Sequence, residues 1–230
     1  MIRASMLAAC FLTILSNSAS AAASLATSTF DTDADGWTGL TTDGSSAWSV
    51  ITSGLAPMHN PDGAPANSIA LADPDSQWTY FSAPDKFLGD QSAAFGGSLQ
   101  FDSRYVVAGT SYANEAEIVL KGSGLTLVYE ITNSLPVTWT HFDAALVAGG
   151  WRVADTFSGA FATDAQLRAV LSSLDALWIN AEHFTPVMEV IALDNVNLLA
   201  PVPEPENYVM LLAGLGMFGL IARRRKTRQG

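Results

Sequence analysis

The sequence predicts an all-β protein, a β-sandwich with one amphipathic helix, and three observations indicate this fold. Between Phe30 and Leu198, short apolar segments are separated by Gly, Pro, Asp and Asn. Two of these segments, 99–105 and 125–131, alternate apolar and polar residues, as a half-buried strand does. With 230 residues, 49% of them apolar, the chain is long enough to form the core of one such domain.

Further strands and the single helix are predicted from local patterns. The helix is expected after Thr163, because Thr163 and Gln166 have the spacing of a capping box. It should lie against one sheet or close one end of the sandwich, since apolar residues follow at helical intervals: Leu167, Val170, Leu171 and Leu174. About nine strands at regular spacing favour a sandwich of two sheets. The strands other than 99–105 and 125–131 are expected at 47–51, 68–71, 77–81, 115–120, 137–142, 177–181 and 188–198.

Residues 1–23 have the pattern of a secretory signal peptide. Arg3 precedes an apolar segment from Met6 to Leu15, and small residues follow as far as Ala23. The apolar segment is too short to span a bilayer, so we expect cleavage near Ala23. A core helix and lipid attachment at Cys10 are the alternatives. Cys10 is the only cysteine, so a mature chain that begins after Ala23 can form no disulfide.

The other end of the chain combines three features within residues 201–230. The extended motif Val202, Pro203, Glu204 and Pro205 is followed by an uncharged segment, 208–222, and then by Arg223, Arg224 and Arg225. The uncharged segment is predicted to form a short transmembrane helix, about 22 Å long against a hydrocarbon core of about 30 Å. The arginines are expected to remain on the cytoplasmic side as a membrane stop.

Residues 201–226 resemble the PEP-CTERM sorting signal of Gram-negative bacteria. The resemblance implies export across the inner membrane, transient membrane insertion through residues 208–222 and processing by an exosortase. It also implies a final position at the cell surface or in an exopolysaccharide matrix. A plain tail anchor is the alternative. The chain is thus divided into a signal peptide (1–23), a β-sandwich domain (24–200) and a sorting signal (201–230).

The charge of the chain excludes one class of function. Residues 24–202 contain 20 acidic and 5 basic residues, a net charge of −15. Such a domain repels phosphate backbones, so nucleic-acid binding is not expected.

The body of the chain resembles the laminin B domain, also called laminin IV type A. The resemblance is carried by residues 78–101, 117–124 and 167–182, and it covers roughly residues 37–199. It implies a jelly-roll-like, galactose-binding-domain-like β-sandwich. Fold follows from such a match more safely than function.

Two acidic residues are candidates for a structural calcium ion. Residues 31–36 place three Asp and one Gly as an EF-hand loop does, but position twelve is Thr42 instead of the required Glu. The similarity to jelly-roll carbohydrate-binding modules implies a different site, in which Asp31 and Asp194 hold one calcium ion. The alternative is that Asp33, Asp35 and Asp43 are solvated turn residues.

Aromatic residues are the candidates for sugar recognition. Most of the six Trp are expected in the core. Trp151 is our candidate for stacking on a glycan, because it follows Gly149 and Gly150 and precedes Arg152; burial in the core is the alternative.

The sequence offers little for catalysis. It contains no His-Glu-x-x-His, no Gly-x-Ser-x-Gly and no phosphate-binding glycine loop. We therefore expect an exported, non-catalytic surface or matrix protein that binds glycan. A purely structural coat protein without sugar recognition is the alternative, and a secreted glycan-active enzyme is the third possibility.

Overall fold

The computed structural model of the chain describes residues 21–45, 47–60, 67–75, 77–106, 116–131, 137–154, 159–182 and 189–202. Residues 22–202 form one compact unit. The predicted signal peptide, apart from residues 21–23, and the predicted membrane segment 208–222 lie outside the described residues. Within the described ranges, no helix is long and apolar enough to cross a membrane.

The described residues form two antiparallel sheets that pack as a β-sandwich. One sheet has seven strands in the order β11–β9–β8–β12–β6–β2–β3. The other has six, in the order β10–β7–β13–β5–β4, with β1 beside the second half of β13. The bounds are β1 Ser24–Ser28, β2 Thr38–Thr42, β3 Val50–Leu55, β4 Met58–Asn60, β5 Ser68–Ala72, β6 Trp78–Ser82, β7 Ser98–Tyr105, β8 Ala116–Gly122, β9 Leu125–Glu130, β10 Thr140–Ala145, β11 Trp151–Val153, β12 Leu174–Asn180 and β13 Val190–Leu199.

The predicted elements are largely confirmed. Helix α1, Asp164–Leu171, begins with the expected capping box between Thr163 and Gln166. Each of the nine predicted strands overlaps an observed strand, but β1, β2, β4 and β11 were not predicted. β4 and β11 have three residues each, and β2 reads Thr-Gly-Leu-Thr-Thr, so none of them shows a clear apolar alternation.

The core lies between the two sheets and continues beneath α1. Inward residues of both sheets, such as Phe81, Phe101 and Ile118, are fully buried. The apolar side of α1 closes the core with Leu167 and Val170. Complete burial of each such side chain contributes about 1.5–3 kcal/mol.

The two ends of the sandwich domain lie side by side. β1 pairs with the second half of β13, and the backbone N–H of Ala200 donates to the carbonyl of Ala23 at 2.9 Å. A Cβ atom at Gly97 would lie 1.9 Å from the carbonyl oxygen of Leu199, so only glycine fits there. The predicted signal-peptide cleavage site near Ala23 and the residues that lead into the sorting motif are therefore fixed at the same edge.

Candidate functional site

The outward face of the seven-stranded sheet carries an apolar cluster of its own. Residues of β12 alternate, so Leu177 and Ile179 enter the core while Trp178 points outward. The outer cluster consists of Leu40, Trp48, Tyr80, Val119, Val128 and Trp178, with Trp78 and Ala176 partly buried against it. We call this surface the outer face.

Strand register aligns several outer-face side chains in one line across the sheet. The aligned pairs are Phe161 with Arg152, Arg152 with Val128, Val128 with Val119, Val119 with Trp178, and Trp178 with Ser82. Neighbouring strands are about 4.8 Å apart, so this cross-strand row spans roughly 24 Å. Within it Val128, Val119 and Trp178 are buried (1%, 0% and 4% exposed), so the accessible part of the row is the end formed by Arg152 and Phe161.

One end of the cross-strand row is open to solvent. Phe161 is 56% exposed, and the Arg152 guanidinium carbon lies 4.1 Å from the centroid of its ring. Arg152 Nη1 also donates to the carbonyl of Gly159 at 2.9 Å. The guanidinium therefore covers one side of the phenyl ring and leaves an aromatic surface at the edge of the sheet.

Trp48, in the loop between β2 and β3, packs on the aromatic residues of the outer face. Its ring makes edge contacts with Trp78 and Tyr80, at centroid distances of 5.8 and 5.9 Å. Its Nε1–H donates at 2.7 Å to the carbonyl of Ala154, which follows β11 at the opposite edge of the sheet from β3. Trp48 and Trp178, both in this cluster, are only 2% and 4% exposed.

A basic side chain and a carboxylate hold this loop in place. Lys121 Nζ donates to the carbonyl of Trp48 at 3.2 Å and lies 5.0 Å from the Trp178 centroid. Asp43 Oδ1 accepts from the N–H and hydroxyl of Ser45 and from the N–H of Ser49. These bonds, those of Ser45 foremost, stabilise the carboxylate and lower the pKa of Asp43.

Buried carboxyl groups lie where β5 and β12 end, close to Thr79 of β6. Asp73 Oδ1 accepts from the Thr79 hydroxyl at 3.0 Å, and Glu182 Oε2 accepts from the Thr79 N–H at 2.9 Å. Burial raises the pKa of Asp73, although the N–H of Asp75 and the Thr79 hydroxyl donate to it and oppose this effect.

The prediction that Trp151 stacks on a glycan is wrong. Trp151 is fully buried (0% exposed), its Nε1–H donates to the carbonyl of Ala145 at 3.0 Å, and its ring packs 5.1 Å from that of Tyr129. The alternative, burial in the core, is correct, because Trp151 is an inward residue of β11. Among the described aromatic residues the exposed ring is Phe161, which lies outside every alternating segment and therefore gave no signal in the sequence.

Asp31 and Asp194 occupy different environments. Asp31 is exposed and accepts from the hydroxyl of Thr29 at 2.7 Å, whereas Asp194 is buried and accepts from the N–H of Asn195 at 2.7 Å. In the described part of the chain, no three His, Asp or Glu side chains are grouped as metal ligands. Of the EF-hand-like carboxylates, Asp35 forms an ion pair with Lys86. The calcium site therefore stays a prediction.

The residues of the predicted sorting motif are mostly not described. Val202 is exposed at the end of the described chain. The remaining residues, Pro203, Glu204, Pro205, Arg223, Arg224 and Arg225, lie outside the described ranges.

Comparison with known families identifies two parts of the chain. The laminin B (domain IV) model matches residues 80–210, and the PEP-CTERM protein-sorting motif matches residues 201–226. The basement membrane proteoglycan of Caenorhabditis elegans is 31% identical over 105 residues, which are 45% of this chain and 3% of that protein. Human laminin subunit gamma-2 is 36% identical over 104 residues, which are 44% of this chain and 8% of that protein.

A solved structure extends the similarity to the fold. The L4b domain of human laminin alpha-2 superposes with a TM-score of 0.57 at 12% identity, over 78% of this chain and 99% of that domain. At this identity the likeness shows the fold alone. The present chain corresponds to less than a tenth of the length of the two relatives described above.

The β-sandwich and the C-terminal motif together define a class of protein. It is exported, processed by an exosortase and located at the cell surface or outside the cell. The laminin B model matches more than half of the residues. The chain therefore belongs to the laminin B (domain IV) family.

Proposed function

We propose that the protein binds a neutral polysaccharide through Phe161, at the edge of the outer face, and has no catalytic role. The observation that carries the proposal is the ring of Phe161, which is 56% exposed at the accessible end of the cross-strand row. A sugar ring has a face of C–H groups that packs on an aromatic ring, and a polymer presents many such faces. Weak contacts repeated along a polymer give avidity.

The charge of the domain favours a neutral polymer. Residues 24–202 carry a net charge of −15, which repels acidic polysaccharides at close range. Arg152 and Lys121, two of the five basic residues in this range, are both engaged with aromatic rings of the outer face. They therefore shape the aromatic surface more than they attract an acidic ligand.

Affinity electrophoresis tests the proposal. Gels that contain soluble glucans, xylans or mannans should retard the exported protein, and Phe161→Ala should weaken retardation roughly two- to tenfold, as expected for a ring contact of about 0.5–1.5 kcal/mol. The matched control is Val147→Ala, another exposed apolar residue, which lies between β10 and β11 and should bind as the wild type does. Migration unaffected by every neutral polysaccharide would contradict the proposal.

A structural coat protein without sugar recognition is the second candidate. It is favoured by the burial of the outer-face cluster, in which Trp48 packs on Tyr80 and Trp178 is only 4% exposed. On this alternative the outer face is a small second core, and Phe161→Ala changes neither binding nor assembly. The electrophoresis experiment separates the two candidates.

We also propose the route by which the protein reaches the surface. The sorting motif supports removal of segment 208–222 by an exosortase in the envelope of a Gram-negative bacterium. Mass spectrometry of surface material should find no peptide that contains Arg223. Glu204→Ala should cause the precursor to accumulate in the membrane. Recovery of intact peptides of residues 223–230 from the surface would instead support a plain membrane anchor.

A further inference from the structure

We propose that β3 is a self-association edge, at which β3 of one copy pairs antiparallel with β3 of a second copy. β3 is the last strand of the seven-stranded sheet, and among the described residues it pairs only with β2. Five of its six residues are exposed, Ile51 to the extent of 54%. Such an edge offers backbone N–H and C=O groups to another strand.

The absence of charge around β3 points to a second copy as the partner. No Asp, Glu, Lys or Arg lies between Asp43 and Asp62, the longest such interval in residues 24–202. Natural edge strands usually carry charges that prevent pairing, and β3 carries none. Two copies with a net charge of −15 each repel elsewhere, but at this edge no like charges face each other. A charged partner would find no complementary group on β3.

The register of β3 is self-complementary. Its pairing with β2 leaves Ile51 and Gly54 as the two bulged residues. A two-fold axis perpendicular to the sheet keeps the same face of both copies on the same side, and directly opposite residues point to the same face, so the axis must pass beside one residue and not between two. Centred on Ser53, the axis places the small, uncharged Ser53 side chains of the two copies opposite each other. Bulges usually protect an edge, but Ile51 and Gly54 lie on either side of Thr52 and Ser53 and leave these two residues in regular register.

The pairing has a defined structural result. The two seven-stranded sheets become one continuous sheet, and the interface is isologous, with the same residues on both sides. The inference does not depend on sugar binding, because none of these residues belongs to the cross-strand row. Failure of either proposal therefore leaves the other standing.

Sedimentation velocity of the exported protein, without polysaccharide, tests the pairing. The wild type should form a dimer whose fraction rises with protein concentration. Ser53→Asp places two carboxylates beside the two-fold axis and should give a monomer. Val147→Asp, the matched control, adds the same charge at another exposed site and should leave the dimer intact.

Three outcomes would overturn the inference: a wild type that is monomeric at every concentration, a dimer that Ser53→Asp does not dissociate, or a dimer that Val147→Asp dissociates equally well. Circular dichroism establishes whether Ser53→Asp is folded. If it is not, Ser53→Lys decides by the same measurement, since two like charges at the axis again oppose pairing.

Discussion

The outward faces of the two sheets follow the same alternation of residues but differ in chemistry. On the six-stranded sheet a group of these residues is polar and bonded together. Gln100 Nε2 donates to Asp143 Oδ2 at 3.0 Å, and His141 Nδ1 lies 2.8 Å from Asp102 Oδ1. Asn195 Nδ2 donates to the second oxygen of Asp102, also at 2.8 Å. On the seven-stranded sheet the outward residues form the aromatic cluster around Trp178 instead.

The difference identifies the face to test for ligand binding. A polar, mutually bonded face is what contact with water requires, and such surface pairs contribute about 0–1 kcal/mol each. Aromatic rings outside the core are unusual, because the inner faces of the sheets already supply the core. Trp48 covers part of this cluster and Phe161 remains exposed, so the outer face of the seven-stranded sheet is the one to test.

The largest expected effect distinguishes inward from outward aromatic residues. Trp151→Ala removes a fully buried ring and should cost about 3–5 kcal/mol of unfolding free energy. Phe161→Ala removes an exposed ring and should change stability by less than about 0.5 kcal/mol. Urea denaturation of both variants measures this. Equal losses would mean that Phe161 is part of the packed structure and is not a ligand contact.

The predicted fold was largely correct because alternation determines which side of a strand is buried. Segments 99–105 and 125–131 became β7 and β9, and the capping box at Thr163 begins α1. Short strands such as β4 and β11 were missed, since three residues carry no period. Their strand conformation depends on hydrogen bonds to β5 and β9, which are contacts distant in sequence.

The candidate site could not be predicted in the same way. Alternation within a strand separates two sets of residues, but it does not say which set faces the second sheet when both are apolar. In β11 the outward residue is Arg152, and Trp151 enters the core with Val153; three residues are too few to establish the alternation that would have shown this in the sequence. The position of Phe161 beside Arg152 follows from a bridge formed by the chain after β11, which local sequence does not reveal.

We propose that one structural calcium ion is bound through Asp31 and Asp194, the second of which lies in β13 of the six-stranded sheet. Binding to the folded state alone stabilises it by about 2.7 kcal/mol at a hundredfold excess over Kd. For a domain of this size the melting temperature should then fall by roughly 5–11 °C in chelator. Calorimetry with calcium and with chelator measures this shift.

A substitution assigns the calcium effect to the site. Asp194→Asn should lower the melting temperature of the calcium-loaded protein as chelator does, and further chelator should then have no effect. Asp175→Asn, an exposed residue of β12, removes an equal charge and is the control. A melting temperature independent of both calcium and chelator would rule the site out.

Another pair of variants compares the two outward faces directly. Trp48→Ala removes a ring that is only 2% exposed, together with its edge contacts with Trp78 and Tyr80, and should cost about 3–5 kcal/mol. His141→Ala removes one exposed pair with Asp102 and should cost less than about 1 kcal/mol. Trp48→Ala also opens the outer-face cluster to solvent, which an increased rate of tryptophan fluorescence quenching by acrylamide would report. Equal costs for the two variants would contradict the distinction between the faces.

The smallest expected effect is a difference in pH dependence between a buried and an exposed carboxyl group. Because burial raises the pKa of Asp73, its protonated form is favoured in the folded state. Its contribution to stability is complete below the unfolded pKa, about 3.9, and is lost as pH rises through the higher folded pKa. Asp73→Asn keeps an oxygen that accepts from Thr79 but cannot ionise, so the variant should gain stability relative to the wild type over that pH interval. Urea denaturation from acidic to neutral pH measures the difference, with Asp175→Asn as the exposed control. If the free energy of unfolding of the wild type and that of Asp73→Asn vary with pH in parallel, ionisation of Asp73 does not destabilise the folded protein, and the prediction is wrong.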